Sequence, residues 1–185
     1  DYTLNIFNSM SIQEFERMNV KGITLSPELT LDQIASLKET SGLIKEAIVY
    51  GRLPVMTSEY CPVGSIAGGF KEGSKCSAPC SKEIYHLKDR KGMKFPVLCY
   101  RIDCRNLILN SNVLFVPESL DKIKVSGVDI MRIYLSDESI EETMEIVRMH
   151  KEIIDEGAQA LKKYTKLIEK IRDSGFTKGH YYRGV

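Results

Sequence analysis

The sequence predicts an α/β fold in which short parallel strands are joined by helices. In the first third of the chain, apolar segments with a strand-like period alternate with amphipathic segments of helical period. Capping pairs precede the helical segments, and a cysteine-containing segment of irregular pattern then interrupts the alternation. Because parallel strands need a crossover connection, this order of elements favours βα units.

Four segments are predicted as the parallel strands. They lie near residues 2–7, 22–26, 46–50 and 128–135. Tyr2, Leu4 and Ile6 alternate with polar residues, which is typical of a strand with one buried face. The run from Ala47 to Tyr50 has no charged residue, which indicates a strand buried on both faces.

Capping boxes predict where three helices begin. The pairs are Ser11 with Glu14, Thr30 with Gln33, and Ser139 with Glu142. The helix that follows Ser139 is expected to break near Gly157, and a second helix to run to about Asp173, so that residues 139–174 form the C-terminal helices. Residues 175–185 are predicted to form a polar and aromatic tail.

Residues 57–111 are predicted to be a cysteine-rich insertion followed by a hairpin. Residues 57–82 hold glycines, prolines and three cysteines without a sustained period. Residues 84–110 have the pattern of antiparallel strands, with a turn over Asp89–Gly92.

The strand count predicts an incomplete barrel. Four βα units cannot close a barrel of eight strands, and an open half exposes strand edges. We therefore expect residues 1–185 to be a single domain, a fragment of a larger barrel whose N-terminal half is missing, and to pair through open edges as a homodimer. An open doubly wound sheet would fit the same count.

Composition points to a soluble protein. Apolar residues make up 43% of the chain and charged residues 28%, and no apolar run is long enough for a membrane span. The net charge of +1 gives no overall field for nucleic acid. The first residues lack the basic and apolar regions of a signal peptide, and five cysteines are an odd number for a secreted disulfide framework, so we expect a cytoplasmic protein.

The cysteines are the strongest candidates for metal ligands. They are Cys61, Cys76, Cys80, Cys99 and Cys104. Thiolates bind soft metals and iron–sulfur clusters, and the three-residue gap between Cys76 and Cys80 lets one turn present two sulfurs. Spacing alone favours a cluster, but zinc and free buried cysteines stay open as alternatives.

Two charged residues near strand ends are candidates for catalysis. Glu28 follows the predicted strand 22–26, and Arg52 follows the predicted strand 46–50. Arg52 could hold a carboxylate or phosphate, and Glu28 could accept a proton. An ordinary ion pair between neighbouring strand ends explains the same pattern.

Other polar residues carry weaker signals. Lys71–Arg105 holds nine Lys or Arg against four Asp or Glu, with interleaved aromatic residues, which would suit RNA as well as a solvated hairpin. His150 lies in a charged helical segment and is predicted to face solvent. The chain holds no H-E-x-x-H or G-x-S-x-G motif, so no protease mechanism can be assigned.

Several ordered segments resemble the signature of the collagenase-like peptidase U32 family. They are Leu25–Leu29, Val49–Met56, Cys61–Gly64, Asp89–Val97, Leu109–Ser111 and Thr177–Val185. This resemblance covers nearly the whole chain, and it implies the C-terminal part of the catalytic domain, in the second half of a TIM-like barrel.

The resemblance also implies a chemistry. Relatives act in hydroxylation of tRNA or ribosomal RNA bases and in oxygen-independent ubiquinone hydroxylation with a 4Fe–4S cluster, whereas the family name implies proteolysis of a protein substrate. It suggests Cys61, Cys76, Cys80 and Cys104 as cluster ligands, with Cys104 preferred over Cys99. The parent protein is thus expected to be an enzyme, and this fragment alone to be inactive.

Overall fold

The computed structural model describes residues 1–37, 42–71 and 74–183 as two compact units. We call Asp1–Gly51 with Leu114–Val185 the strand–helix unit, and Arg52–Val113 the cysteine unit. The predicted α/β fold is confirmed in its coarse form, since both units combine helix and sheet. No closed barrel is present among the described residues, and the incomplete TIM-like barrel stays a prediction.

Nine strands and six α-helices are present in the described residues. The strands are β1 (Gly22–Thr24), β2 (Ile44–Gly51), β3 (Pro54–Ser58), β4 (Tyr85–Lys88), β5 (Lys94–Cys99), β6 (Asn106–Leu109), β7 (Val113–Phe115), β8 (Ile130–Tyr134) and β9 (Phe176–Thr177). The helices are α1 (Ser9–Arg17), α2 (Leu31–Ser36), α3 (Pro62–Ile66), α4 (Leu120–Val125), α5 (Ile140–Glu156) and α6 (Thr165–Asp173). Short 3-10 segments are Tyr2–Leu4, Pro79–Ser81, Pro117–Ser119 and Ala158–Tyr164. No helix in the described ranges has the length and apolar character that crossing a membrane requires.

The sheet of the strand–helix unit is centred on β2. This strand pairs in parallel with β1 on one side and with β8 on the other, and its end pairs with β7 in antiparallel fashion. Ala47, Ile48, Val49 and Tyr50 are all buried, as their uninterrupted apolar pattern predicts. Three of the four predicted parallel strands therefore exist.

The fourth predicted strand, near residues 2–7, is absent. Residues Tyr2–Leu4 form a 3-10 turn that is capped by the Asp1 side chain, and Asn5 has a left-handed backbone. Only Ile6 makes a strand-like bridge, to Leu25. The hydrogen bond to the Asp1 side chain thus stabilises a turn here, although the alternating pattern favours a strand.

Two of the three capping boxes are confirmed. Thr30 with Gln33 starts α2, and Ser139 with Glu142 starts α5. Helix α5 ends at Glu156 before Gly157, as predicted, and α6 ends at Asp173. The predicted box at Ser11 is wrong: Asn8 caps α1 instead, and its side chain accepts from the Ser11 N–H at 2.9 Å.

In the described part of the C-terminal segment, residues 175–183, strand β9 and Tyr181 belong to the sheet and the core, so the predicted tail is wrong there. Strand β9 joins the sheet next to β7, and Tyr181 is only 4% exposed. The Tyr181 hydroxyl donates to the Ile48 carbonyl oxygen at 2.7 Å, and burial raises the pKa of this phenol. The Tyr182 hydroxyl lies 2.6 Å from Ser119 Oγ.

His150 is also buried, so its predicted exposure is wrong. It is 2% exposed and packs edge-on against the rings of Tyr50 and Phe115. Its position four residues after Ile146 and three before Ile153 puts it on the buried stripe of α5. The position of His150 in this repeat could have predicted the burial.

The cysteine unit is built on an antiparallel sheet in the order β3-β6-β5-β4. Strands β4 and β5 form the predicted hairpin, in which the Gly92 N–H donates to the Asp89 carbonyl oxygen at 3.1 Å. Val63, Val97 and Ile108 form a small buried core beneath this sheet. Three of the cysteines pack against that core, namely Cys61, Cys80 and Cys99.

Candidate metal centre

A pocket of about 430 Å³ in the cysteine unit collects most of the residues predicted to bind metal. It is lined by Glu59, Tyr60, Cys61, Gly64, Phe70, Ser74, Lys75, Cys76 and Cys104. All five cysteines of the chain are free thiols. The pocket thus contains three of the four predicted ligands.

Cys61 is held at the start of helix α3. Its sulfur accepts a hydrogen bond from the Gly64 N–H at 3.2 Å, and Pro62 occupies the first helical position, where no N–H is needed. The Cys61 thiol also approaches Asn106 Oδ1 at 3.7 Å. The sulfur is therefore fixed from two sides.

Cys76 approaches Cys61 across glycine backbone. A methyl group added at Gly64 would lie 3.3 Å from Cys61 Sγ and 3.4 Å from Cys76 Sγ, so both sulfurs reach the same point. At Gly68, an added methyl group would overlap Cys76 Sγ and lie 2.8 Å from the Gly64 carbonyl oxygen. Gly64 and Gly68 therefore allow this close approach because they have no side chain.

Cys80 follows Cys76 through one tight turn, as the three-residue spacing predicts. The Ala78 N–H donates to Cys76 Sγ at 3.3 Å, and Ala78 has a left-handed backbone with φ of 51°. The 3-10 segment Pro79–Ser81 then carries Cys80 onto the small core. Cys80 thus packs against the same small core as Cys61, although it does not line the pocket.

Cys99, at the end of β5, lies on the core side of the cysteines. Burial, followed by charge and hydrogen-bond interactions with the sulfurs of Cys80 and Cys61, raises the pKa of Cys99 to about 12. This thiol therefore stays protonated at neutral pH. The spacing of the cysteines does not predict that Cys99 contacts two candidate ligands.

Cys104 enters the pocket from the opposite loop. It is exposed and has a left-handed backbone with φ of 56°. Its carbonyl oxygen accepts a hydrogen bond from Asn106 Nδ2 at 2.7 Å. Cys104 and Cys76 line the same pocket, although 27 residues separate them in sequence.

The cysteine sulfurs are not packed into a tight ligand group. Within the described ranges, no three Cys, His, Asp or Glu side chains form a group that could hold a metal ion. Cys61, Cys76 and Cys104 instead line a cavity, and backbone N–H groups donate to the sulfurs of Cys61 and Cys76. These N–H groups hold the two sulfurs in place at the pocket.

The pocket rim is aromatic and charged. Tyr60 and Phe70 are 64% and 56% exposed, although both line the pocket. Lys75 lies on the same wall, and Arg105 forms a long ion pair with Glu59 at 3.9 Å. Such a rim can stack against a planar group and attract an anion.

The two predicted catalytic residues lie in different units. Glu28 is exposed in the strand–helix unit, where its N–H contacts Ser26 Oγ at 3.3 Å. Arg52 belongs to the cysteine unit, where its guanidinium donates to the carbonyl oxygens of Asn110 and Ser111. The contacts of Arg52 hold the backbone of its own unit, and a catalytic role for either residue stays a prediction.

Asn106 is a site residue that sequence reasoning missed. Its side chain is fully buried and contacts the segments that carry Cys61 and Cys104. Its place two residues after Cys104, at the start of an apolar strand, was the available signal. An isolated asparagine has no specific pattern, so only the structure reveals the contact.

Comparison with known proteins identifies one relationship. The model of the family described as Peptidase family U32 matches residues 2–184. Comparison with curated proteins and with solved structures yields no match. Because the family model spans nearly the whole chain, as the resemblance of its motifs predicted, the chain belongs to Peptidase family U32.

Proposed function

We propose that this chain carries the cluster-binding part of an iron–sulfur-dependent enzyme that modifies RNA bases in a hydroxylation-type reaction. The observation that supports it most is the convergence of Cys61, Cys76 and Cys104 on one pocket. Cys80 packs on the core beside Cys61 and supplies the fourth thiol. Four thiolates are the usual ligand set of a 4Fe–4S cluster.

The pocket suits a cluster better than a single zinc ion. Zinc holds four sulfurs at about 2.3 Å, a volume much smaller than this cavity. The cavity measures about 430 Å³, which leaves room for several metal and sulfide atoms. The N–H groups of Gly64 and Ala78 already donate to sulfur, as is common around iron–sulfur centres.

In this proposal each residue has a defined task. A bound cluster would supply electron transfer to or from the substrate. Cys61, Cys76, Cys80 and Cys104 would hold it, while Cys99 would remain outside the ligand set and contact the sulfurs of Cys80 and Cys61. The exposed rings of Tyr60 and Phe70 would stack on an unpaired base at the pocket mouth. Arg52 and Glu28 are kept as candidates for binding phosphate and moving a proton.

RNA is the favoured substrate class because aromatic and basic side chains occur together in this unit. Lys71–Arg105 has an excess of five positive charges. Stacking surfaces combined with cations are the usual means of gripping single-stranded RNA.

Anaerobic reconstitution with iron and sulfide tests the metal assignment. We expect a visible absorption band and about four iron atoms per chain, as one 4Fe–4S cluster requires. Parallel loading with zinc gives no visible band, so a chain that retains zinc but never iron and sulfide would overturn the cluster assignment. Loss of the band in Cys61→Ser, with Thr57→Ala at an exposed position of β3 as a control, would tie it to the pocket.

Proteolysis is the second candidate function, since the family description names a peptidase. Gelatin and collagen peptides incubated with the purified chain would reveal it. If the chain cleaves these substrates and a single Cys or His substitution abolishes the cleavage, proteolysis would replace RNA modification as the favoured function. We expect no such cleavage.

A further inference from the structure

The side chain of Asn106 connects the two loops that carry Cys61 and Cys104. Its Nδ2 group donates to the Cys104 carbonyl oxygen at 2.7 Å and to the Tyr60 carbonyl oxygen at 3.3 Å. Its Oδ1 atom faces Cys61 Sγ at 3.7 Å. One amide group therefore contacts the backbone on both sides of the pocket and one of the sulfurs.

The position of Asn106 gives these contacts a firm base. Asn106 is 0% exposed and begins β6, where it pairs with Ser58 of β3 on one side and with Cys99 of β5 on the other. A buried amide with both donor hydrogens used is expensive to replace, because its partners would be left unpaired. Its orientation is thus defined by the sheet.

The loop that Asn106 holds is strained. Cys104 has φ of 56°, a conformation that residues other than Gly, Asn and Asp seldom adopt. Such a backbone persists only when surrounding contacts enforce it. The hydrogen bond from Asn106 to the Cys104 carbonyl is a contact of that kind.

We propose that Asn106 is a positioning residue that holds Cys104 facing Cys61 across the pocket, so that the two sulfurs can serve one metal centre. The metal centre itself rests on the proposed function, but the relative position of the two sulfurs does not. Asn106 acts through the backbone of Tyr60 and Cys104, and it takes no part in ligation. The contact with Cys61 Sγ belongs to the thiol form, since a metal-bound sulfur has no proton to donate.

Cross-linking in the metal-free chain tests the proposal directly. In a background with Cys76, Cys80 and Cys99 changed to serine, bis-methanethiosulfonate reagents of graded length can join only Cys61 and Cys104. We expect efficient linkage by short reagents, and a several-fold lower yield in Asn106→Asp, which keeps the side-chain shape but loses both donor hydrogens. Asn112→Asp, the same change in the same unit but outside the pocket lining, should link like the parent.

The cross-linking yields can contradict the proposed role of Asn106 in two ways. Equal linkage in Asn106→Asp and its parent, with matching circular dichroism, would overturn the proposal, and so would failure of the parent to link. If Asn106→Asp does not fold, NMR of the unsubstituted chain tests the proposal instead. We expect slow hydrogen exchange of the Asn106 side-chain amide. Fast exchange there would refute the two hydrogen bonds.

Iron binding by the chain with all five cysteines separates the two proposals. If that chain binds iron, Asn106→Asp should retain it about tenfold more weakly, as is typical when an outer partner of a metal site is removed. If the unsubstituted chain binds no iron, the proposed function fails while the cross-linking result still decides the role of Asn106.

Discussion

At the scale of single residues, backbone strain is concentrated beside the cysteines. Four residues other than glycine have positive φ in the described chain: Asn5, Asn19, Ala78 and Cys104. Asparagine tolerates this conformation, whereas alanine and cysteine do so only at a free-energy cost of about 1–3 kcal/mol. The two costly positions lie between Cys76 and Cys80 and at Cys104 itself. Strain at these positions supports a functional role for the loops that contain them.

The fourth thiol ligand can be identified by comparing two substitutions. Cys104 lines the pocket and is a ligand that the family resemblance suggests, whereas Cys99 does not line the pocket and is not suggested by the resemblance. We therefore expect Cys104→Ser to lower the iron bound after reconstitution and Cys99→Ser to leave it unchanged. Iron and sulfide analysis measures both, and the opposite result would make Cys99 the ligand.

Gly68 is predicted to tolerate no side chain. A methyl group there would overlap Cys76 Sγ and press on the backbone of Gly64 at 2.8 Å. Gly68→Ala should therefore displace Cys76, lower iron binding and speed alkylation of the Cys76 thiol, which mass spectrometry can follow. Gly42→Ala is the control, because a methyl group at Gly42 meets no atom within 4 Å. Unchanged Cys76 reactivity in Gly68→Ala would show that the loop adapts.

At the scale of elements, the close approach of β2 and β8 depends on Gly51. This residue has φ of 130°, and an added methyl group would overlap the Tyr134 carbonyl oxygen and lie 2.8 Å from Tyr134 Cβ. Gly51→Ala should lower the free energy of unfolding by more than ~1 kcal/mol, because both the backbone and the neighbouring strand oppose it. Urea unfolding compared with Gly42→Ala measures this, and equal midpoints would contradict it.

The success of sequence reasoning at this scale depended on how local the signal was. The boxes at Thr30 and Ser139 and the hairpin turn at Asp89 are determined by neighbours in sequence, and all three were predicted. The turn at residues 2–5 was missed because Asp1 and Asn5 override the alternating pattern. Tyr181 was missed because its partner, Ile48, lies more than a hundred residues away in sequence.

At the scale of the whole molecule, the candidate metal centre also combines features that local sequence predicts with contacts between residues distant in sequence. Spacing predicted that Cys76 and Cys80 share a turn, and the family resemblance suggested Cys61 and Cys104 as further ligands. The contacts that bring Cys104 to the pocket run through Asn106 and the order of strands β3, β6 and β5, which no local pattern encodes. Residue types were thus predictable, whereas the groups that position them were not.

The stability of the folded chain should depend on pH through His150. This imidazole is 2% exposed, its Nδ1 atom lies 2.8 Å from the Ile146 carbonyl oxygen, and its Nε2 atom has no hydrogen-bond partner within the described part of the chain. Burial lowers the pKa of His150 below the ordinary value of 6.5, because the apolar surroundings disfavour the charged form. The folded chain therefore binds fewer protons near this residue than the unfolded chain does.

The sign of the effect follows from that difference. Above pH 6.5 both states hold a neutral His150 and the free energy of unfolding is unaffected; as the pH falls below 6.5, the unfolded state takes up a proton first and is favoured. The loss is at most about 1.4 kcal/mol per pH unit for one such group. Urea unfolding between pH 7 and 5 should show a shallower pH slope in His150→Gln than in the parent. Equal slopes in the parent and His150→Gln would show that His150 is not protonated on unfolding in this range.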